Sequence, residues 1–323
     1  MQYNVLGIGN AIMDIQVQCD DAFLQDQGID KGIMTLVEEV RQREVLTALS
    51  GHQWHYCSGG SAANTVVGVA EMGGATGYTC LTGNDQHGEM YLTEMHQLGI
   101  HINTEASSGT TGTCVVLVTP DAQRTMLTHL GISANLCSHH LNASDIACTE
   151  YLYIEGYLFA ADETRQAALE AIKIAATQGV KVALTLSDPF LINICRESFT
   201  KLMDDGAINL LFCNQEEAIA LTGKQDPRTA ISNLNQQVPH VALTLGASGS
   251  LIADQGDLIE IPGVEAKAID TTGAGDMYAA GVLYGITHQR SWAEAGALGS
   301  RAAARIVAQF GARLGSEAAV GLV

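Results

Sequence analysis

The chain has 323 residues, 47% of them hydrophobic and 16% charged, enough apolar material for a large core and too much for a disordered chain. Its formal net charge of −19 disfavours nucleic acid and anionic membrane surfaces as partners, since both need a basic face. The same charge repels an anionic substrate unless a local positive site is built.

The N-terminus, "MQYNVLGIGN", has neither the basic region nor the long apolar region of a secretory signal. No apolar run approaches the roughly 20 residues of a membrane span. A cytoplasmic protein is expected. The cysteines are Cys19, Cys57, Cys80, Cys114, Cys137, Cys148, Cys195 and Cys213. None forms a C-x-x-C pair, and most lie in strand-like apolar runs, so buried free thiols are expected ahead of disulfides or zinc.

In chain order, "YNVLGIG" reads as a buried strand and "GSAANTVVGVAEMG" as a helix of small residues. "TGYTCLTG" is a strand and "HGEMYLTEMHQLG" a helix. "YLYIEGYL", "VKVALTLS", "INLLFCN" and "HVALTLG" read as further strands. Helical patterns fall between them, one closed by Gly179, one around Arg196 to Asp204, and "QEEAIALTG". "GSLIAD" and "GDLIEIPG" form a hairpin, and two helices end the chain, about Gly273–Gln289 and Ser291–Phe310. This βαβα alternation predicts a doubly wound α/β fold, a largely parallel sheet with helices on both faces.

Two regions break the rhythm. Ile12 to Cys57 holds strand-like pieces around a single helix, and Ile102 to Leu130 holds a hairpin, "GTCVVLVT" with "QRTMLTHL". Together they predict a small β-sheet lid at 12–57 and 102–130, on a large α/β domain at 1–11, 58–101 and 131–323. An edge strand of that lid could pair two copies in a homodimer or lie free.

The only Gly-Lys pair, Gly223–Lys224, lacks the spacing of a Walker A loop. "GIGNAI" lacks the third glycine of a dinucleotide fingerprint, so a tight turn after the first strand is the plainer reading. "AIDTTGAGDMYAAG", Ala268 to Gly281, is different. Gly273, Ala274 and Gly275 open a helix whose first amides have no intrahelical acceptors, an anion site that needs no lysine. Asp276 in the first turn fits two roles. An acidic residue there is favoured by the helix dipole. It could also take the proton of a hydroxyl attacking a phosphoryl group held by those amides.

"DTTGAGDMYAAG" resembles the C-terminal signature of the PfkB (ribokinase-like) carbohydrate and nucleoside kinases. "SGGSAAN" (Ser58–Asn64), "NQEE" (Asn214–Glu217) and "TLGASGS" (Thr244–Ser250) resemble its other motifs, in the family's order. "GIGNAIMD", "RTM" (Arg124–Met126) and "LSDPF" resemble the adenosine-kinase-like branch. The resemblance implies a ribokinase-like three-layer fold with a small β lid. It implies an ATP- and Mg²⁺-dependent kinase acting on the primary hydroxyl of a nucleoside or sugar. Adenosine is the expected acceptor, with inosine, guanosine, ribose or another sugar as alternatives, and a catalytically silent nucleoside-binding protein of the same fold as the other reading.

Residue by residue, the resemblance makes Asp276 the general base and the amides of Gly273, Ala274 and Gly275 the anion hole. Asn10, Asp14, Gly59, Gly60 and Asn64 would bind the acceptor. Asn214, Thr244, Gly246 and Gly249 would lie along the nucleotide. Glu217 would hold Mg²⁺ through water, and Asp270 with Thr272 a monovalent cation, K⁺. Arg124 would reach the transferring phosphate from the lid, or else form a surface ion pair. Asp188 is either beside the metal or a turn-forming Asp-Pro. Ile12, Met34, Leu36, Val116 and Leu127 form a slot for a nucleobase or simply the lid's own core.

Overall fold

The computed structural model describes residues 2–121 and 123–323. Its strands are β1 (Tyr3–Ile8), β2 (Ile12–Gln18), β3 (Met34–Leu36), β4 (His55–Gly59), β5 (Thr76–Thr79), β6 (Gly112–Val118), β7 (Arg124–His129), β8 (Thr149–Glu155), β9 (Lys181–Thr185), β10 (Leu210–Asn214), β11 (His240–Thr244), β12 (Gly249–Asp254) and β13 (Asp257–Pro262). Eight form one sheet in the order β13-β12-β11-β10-β9-β8-β1-β5. All of its pairings are parallel except those of β12 with β11 and β13. Five form a second, small sheet in the order β3-β7-β6-β2-β4.

Strands such as Leu210–Cys213 and Val241–Leu243 are buried throughout, as expected where helices cover both faces of a parallel sheet. One apolar layer packs helices Ser61–Glu71, Ala274–Thr287 and Trp292–Val307 against the sheet. The other packs Asp162–Gln178, Pro189–Asp204 and Pro227–Asn235 against the opposite face. The result is three layers, helix–sheet–helix. Among the described residues no helix is long and apolar enough to cross a membrane.

Two expectations are corrected. The Ile12–Cys57 stretch holds two helices, Asp21–Asp26 and Glu39–Ala48, rather than one. The first has only six residues and is set by the Asp20 cap, which accepts the Phe23 N–H, so apolar periodicity has no room to show. The thiols are all free, but only Cys80, Cys114, Cys195 and Cys213 are buried. Cys148 is exposed, and Cys137 Sγ sits 2.9 Å from His139 Nδ1 and 3.4 Å from His140 Nδ1 instead of in a core.

Helix Ala274–Thr287 is buried almost all round, so its position is fixed by close packing. A Cβ on Gly281 would lie 2.6 Å from Gly299 Cα on the neighbouring helix. Gly281→Ala must therefore push the two helices apart. We expect a loss of about 1–3 kcal/mol in urea denaturation, with lower activity because the helix carries Asp276. Unchanged stability would mean the contact is looser than described.

Candidate active site

The C-terminal ends of the parallel strands point to one side, where open α/β sheets bind ligands. Asn10 follows β1, Glu155 ends β8, Asp188 follows β9, Asn214 ends β10 and Thr244 ends β11. Asn214 and Thr244 are paired in register. The inner face of the small sheet contributes Asp14 from β2 and Arg124 from β7. Helices Ser61–Glu71 and Ala274–Thr287 begin at the same place.

Asp276 is held by two donors. Ser61 Oγ donates to Oδ1 at 2.7 Å and Asn64 Nδ2 donates to Oδ2 at 2.8 Å. Burial raises its proton affinity above that of an ordinary Asp, while these two hydrogen bonds and the Arg124 and Arg313 guanidiniums pull it down. Gly273 caps the helix in the left-handed region, φ 73°, and a Cβ there would lie 2.8 Å from Ala312 Cβ. Ala274 N–H turns back to Thr271 O at 3.3 Å. The N–H groups of Gly273 and Gly275 have no acceptor among the described residues, and the space beside Gly275 is open. The first turn is therefore free to receive an anion next to a hydrogen-bonded carboxylate.

Asp14 is buried with no hydrogen-bond partner among the described residues. Burial lifts its proton affinity to about 7, against the pull of Arg313 and Arg124. Gly59 makes room for it, since a Cβ there would lie 2.5 Å from the Asp14 carboxyl. Gly60, at φ 101°, lets the chain pass over Asn10 O, which a Cβ would meet at 2.3 Å. Asn10 Oδ1 is buried without a partner. An unpartnered carboxylate and a buried unpartnered carbonyl oxygen suit an acceptor rich in hydroxyl groups.

Asn64 is not open in the same way. Its Nδ2 is given to Asp276 and its Oδ1 accepts from Arg313 Nη1 at 2.6 Å. Asn214 and Glu217 form a reciprocal cap: Glu217 N–H donates to Asn214 Oδ1 (2.8 Å), and Asn214 Nδ2 and N–H donate to the Glu217 carboxylate (2.7 and 3.0 Å). Gly246 is exposed in an open turn at φ 59°. Gly249 has a structural reason as well, because a Cβ would lie 2.1 Å from Ile261 O. Asp188 caps helix Pro189–Asp204, accepting the Phe190 N–H at 2.7 Å, which is the turn-forming role.

Arg124 Nε lies 3.9 Å from Asp270 Oδ1, an ion pair too long to be a hydrogen bond, and its guanidinium hydrogen-bonds to no described residue. The pair links the small sheet to the buried segment ahead of helix Ala274–Thr287 and is not a surface ion pair. Asp270 is fully buried and accepts from Thr272 N–H (2.8 Å), Thr272 Oγ1 (2.5 Å) and Gly311 N–H (2.9 Å). The apolar slot divides by strand face. Ile12 and Val116 pack with Cys114, Val118, Met126 and Phe310, whereas Leu127 packs on the opposite side with Val17, Val45 and Leu117. Leu36 is exposed.

Three residues of the site were not singled out from the sequence. Glu155 is buried beneath Asn10 and Ala62. It accepts from Asn10 N–H (2.8 Å), Asn10 Nδ2 (2.7 Å) and Ala62 N–H (2.8 Å), and burial lifts its proton affinity to about 7. Ser61 and Arg313 are the others. A carboxylate closing a strand was the one signal for Glu155. Arg313 had none, because its partners are distant in sequence.

Asp14, Glu155 and Glu217 all hold protons to about pH 7, mainly through burial. The ligand-free fold thus binds more protons than the unfolded chain between roughly pH 4 and 7. Stability from these groups is complete at the acid end of that window and lost as pH rises through it. We expect urea denaturation to show falling stability from pH 5 to 8, with a shallower fall in Glu155→Gln. An equally steep fall in that variant would remove Glu155 as a source.

Residues 29–319 match the pfkB family carbohydrate kinases. The chain is similar to the adenosine kinase from Sinorhizobium meliloti, 36% identical over 99% of each chain with a TM-score of 0.93. It is also similar to a probable sugar kinase from Rhizobium etli CFN 42, 33% identical over 100% of this chain and 99% of that one, TM-score 0.93. The mouse (Mus musculus) ribokinase is 30% identical over 250 residues, 73% of each chain. The chain belongs to the adenosine-kinase-like branch of the pfkB family and is a sugar or nucleoside kinase, a phosphotransferase with an alcohol group as acceptor.

Proposed function

We propose that the protein transfers the γ-phosphoryl group of ATP to the primary 5′-type hydroxyl of a nucleoside, with adenosine as acceptor. The observation that carries the chemistry is the Asp276 carboxylate beside the unpartnered N–H groups of Gly273 and Gly275. Asp276 takes the hydroxyl proton as the oxygen attacks. A new O–P bond forms, the bond from the γ-phosphorus to the β–γ bridging oxygen breaks, and ADP leaves. The free amides and the Arg124 guanidinium receive the charge on the transferring group. Asp14 and Asn10 Oδ1 accept the acceptor's other hydroxyls, and Glu155 fixes Asn10.

The donor set fits a hydrated Mg²⁺. Glu217 is a buried carboxylate whose raised proton affinity is increased further by Asp188, Glu216 and Asp276. Glu217 and Asn214 would hold the ion through water, and Mg²⁺ when bound neutralises phosphate charge. Thr244 and the open turn at Gly246 would line the nucleotide. A monovalent cation fits less well at Asp270 and Thr272. That carboxylate already carries three hydrogen bonds and faces Arg124, and we derive no step through K⁺.

Adenosine is supported by the similarity to the S. meliloti enzyme and by the apolar patch of Ile12, Val116 and Met126. One observation favours a smaller acceptor such as ribose: Phe310 packs on that same patch. Turnover with ATP/Mg²⁺ over a nucleoside and sugar panel separates the two readings. Adenosine should have the highest kcat/KM, and a preference for ribose would select the second. Asp276→Asn should lower kcat about 10²–10⁴-fold. Arg124→Ala should lower kcat more than it raises KM, and an unchanged kcat would remove Arg124 from the chemistry.

A further inference from the structure

Arg313 reaches the site from the segment that follows the last long helix, Trp292–Val307. That segment is pinned at two points. Asp270 accepts the Gly311 N–H, and the buried Glu71 carboxylate accepts the N–H groups of Leu314 and Gly315 at 3.2 and 2.9 Å. The guanidinium then forks. Nη1 donates to Asn64 Oδ1 at 2.6 Å, and Nη2 donates to Ser58 O and to Ser58 Oγ. Nε faces Glu94 at 3.7 Å, and Glu94 also accepts the Ser58 N–H at 3.0 Å.

Asn64 can point either its oxygen or its NH₂ at Asp276, with opposite consequences. An NH₂ group donates to an ionised carboxylate and favours it. A carbonyl oxygen accepts only from a protonated one and favours that instead. Arginine can only donate. With Arg313 on Oδ1, the NH₂ group is obliged to face Asp276. Resting on the kinase reading above, we propose that Arg313 is a positioning residue that fixes the Asn64 amide and thereby keeps Asp276 ionised and ready to accept a proton.

The surroundings of Asp276 make such a device necessary. Helix Ser61–Glu71 presents only neutral groups, Ser61 and Asn64. The small sheet presents Arg124 and the Asp14 carboxyl, β8 presents Tyr153 and Glu155, Tyr157 follows it, and Glu217 faces the site from beyond β10. Three of these are carboxyl groups, each of which opposes ionisation of Asp276 once it is itself ionised, against Arg124 and Arg313.

The test is the pH profile of kcat/KM in Arg313→Met, Arg313→Lys, Asn64→Ala and the Arg313→Met/Asn64→Ala double variant, each with its melting temperature. Arg313→Met should move the acid limb up by about one pH unit, a roughly tenfold loss below the limb that recovers above it. Arg313→Lys, which keeps a donor for Asn64, should hold the wild-type limb. Asn64→Ala should raise the limb, and adding Arg313→Met should move it clearly less than Arg313→Met moves the wild type, the remainder being the direct pull of the guanidinium charge. Titrating the Asp276 carboxyl carbon by NMR in the ligand-free protein reads the same shift without turnover, so a wrong substrate or activity does not obscure it. An unmoved limb, a loss equal at all pH values, or a full extra shift in the double variant would overturn the role. If Arg313→Met fails to fold, the Arg313→Lys and Asn64→Ala profiles decide.

Discussion

The site depends on the compensation of carboxylates gathered in a confined space. Asp14, Glu155, Glu217, Asp270 and Asp276 lie at one end of the large sheet in a chain of formal charge −19. Each is answered differently. Glu155 and Asp270 receive backbone and side-chain donors, and Glu217 is locked into a helix cap. Asp276 is held by neutral donors, and Asp14 is left without a partner. An uncompensated buried carboxylate keeps its proton or waits for a ligand. The unequal compensation is what underlies the different roles proposed for the five.

Much of this was legible in the sequence because the chemistry is locally written. "DTTGAGD" holds the left-handed cap at Gly273, the open amides and the carboxylate within one turn. "NQEE" is a capping box whose members are three residues apart. The alternation of strands and helices likewise produces the large sheet with little ambiguity.

What was not legible is written across the fold. Glu155 meets Asn10 across 145 positions, and Arg313 meets Asn64 across 249. No local pattern distinguishes either from an ordinary strand-end acid or a surface arginine. The divided slot has a similar cause. Val116 and Leu127 look alike in sequence, but strand period and register put them on opposite faces of the small sheet. Asn64 shows a further limit: residue type indicated a polar role at the site, while the identity of its partners was set by which loops arrived there.

The two arginines are recessed, with side chains 23% and 15% exposed, inside a molecule that is strongly negative outside. A polyanionic donor approaching from solution meets repulsion over distances of about a Debye length, ~8 Å at physiological salt, before it meets either guanidinium. Added salt screens the outer repulsion and hardly touches the inner attraction. If the protein takes a nucleotide as proposed, capture would quicken with ionic strength, the reverse of an enzyme that steers phosphates with a basic rim. Under that proposal, selectivity for the phosphate would be left to short-range geometry rather than to long-range pull.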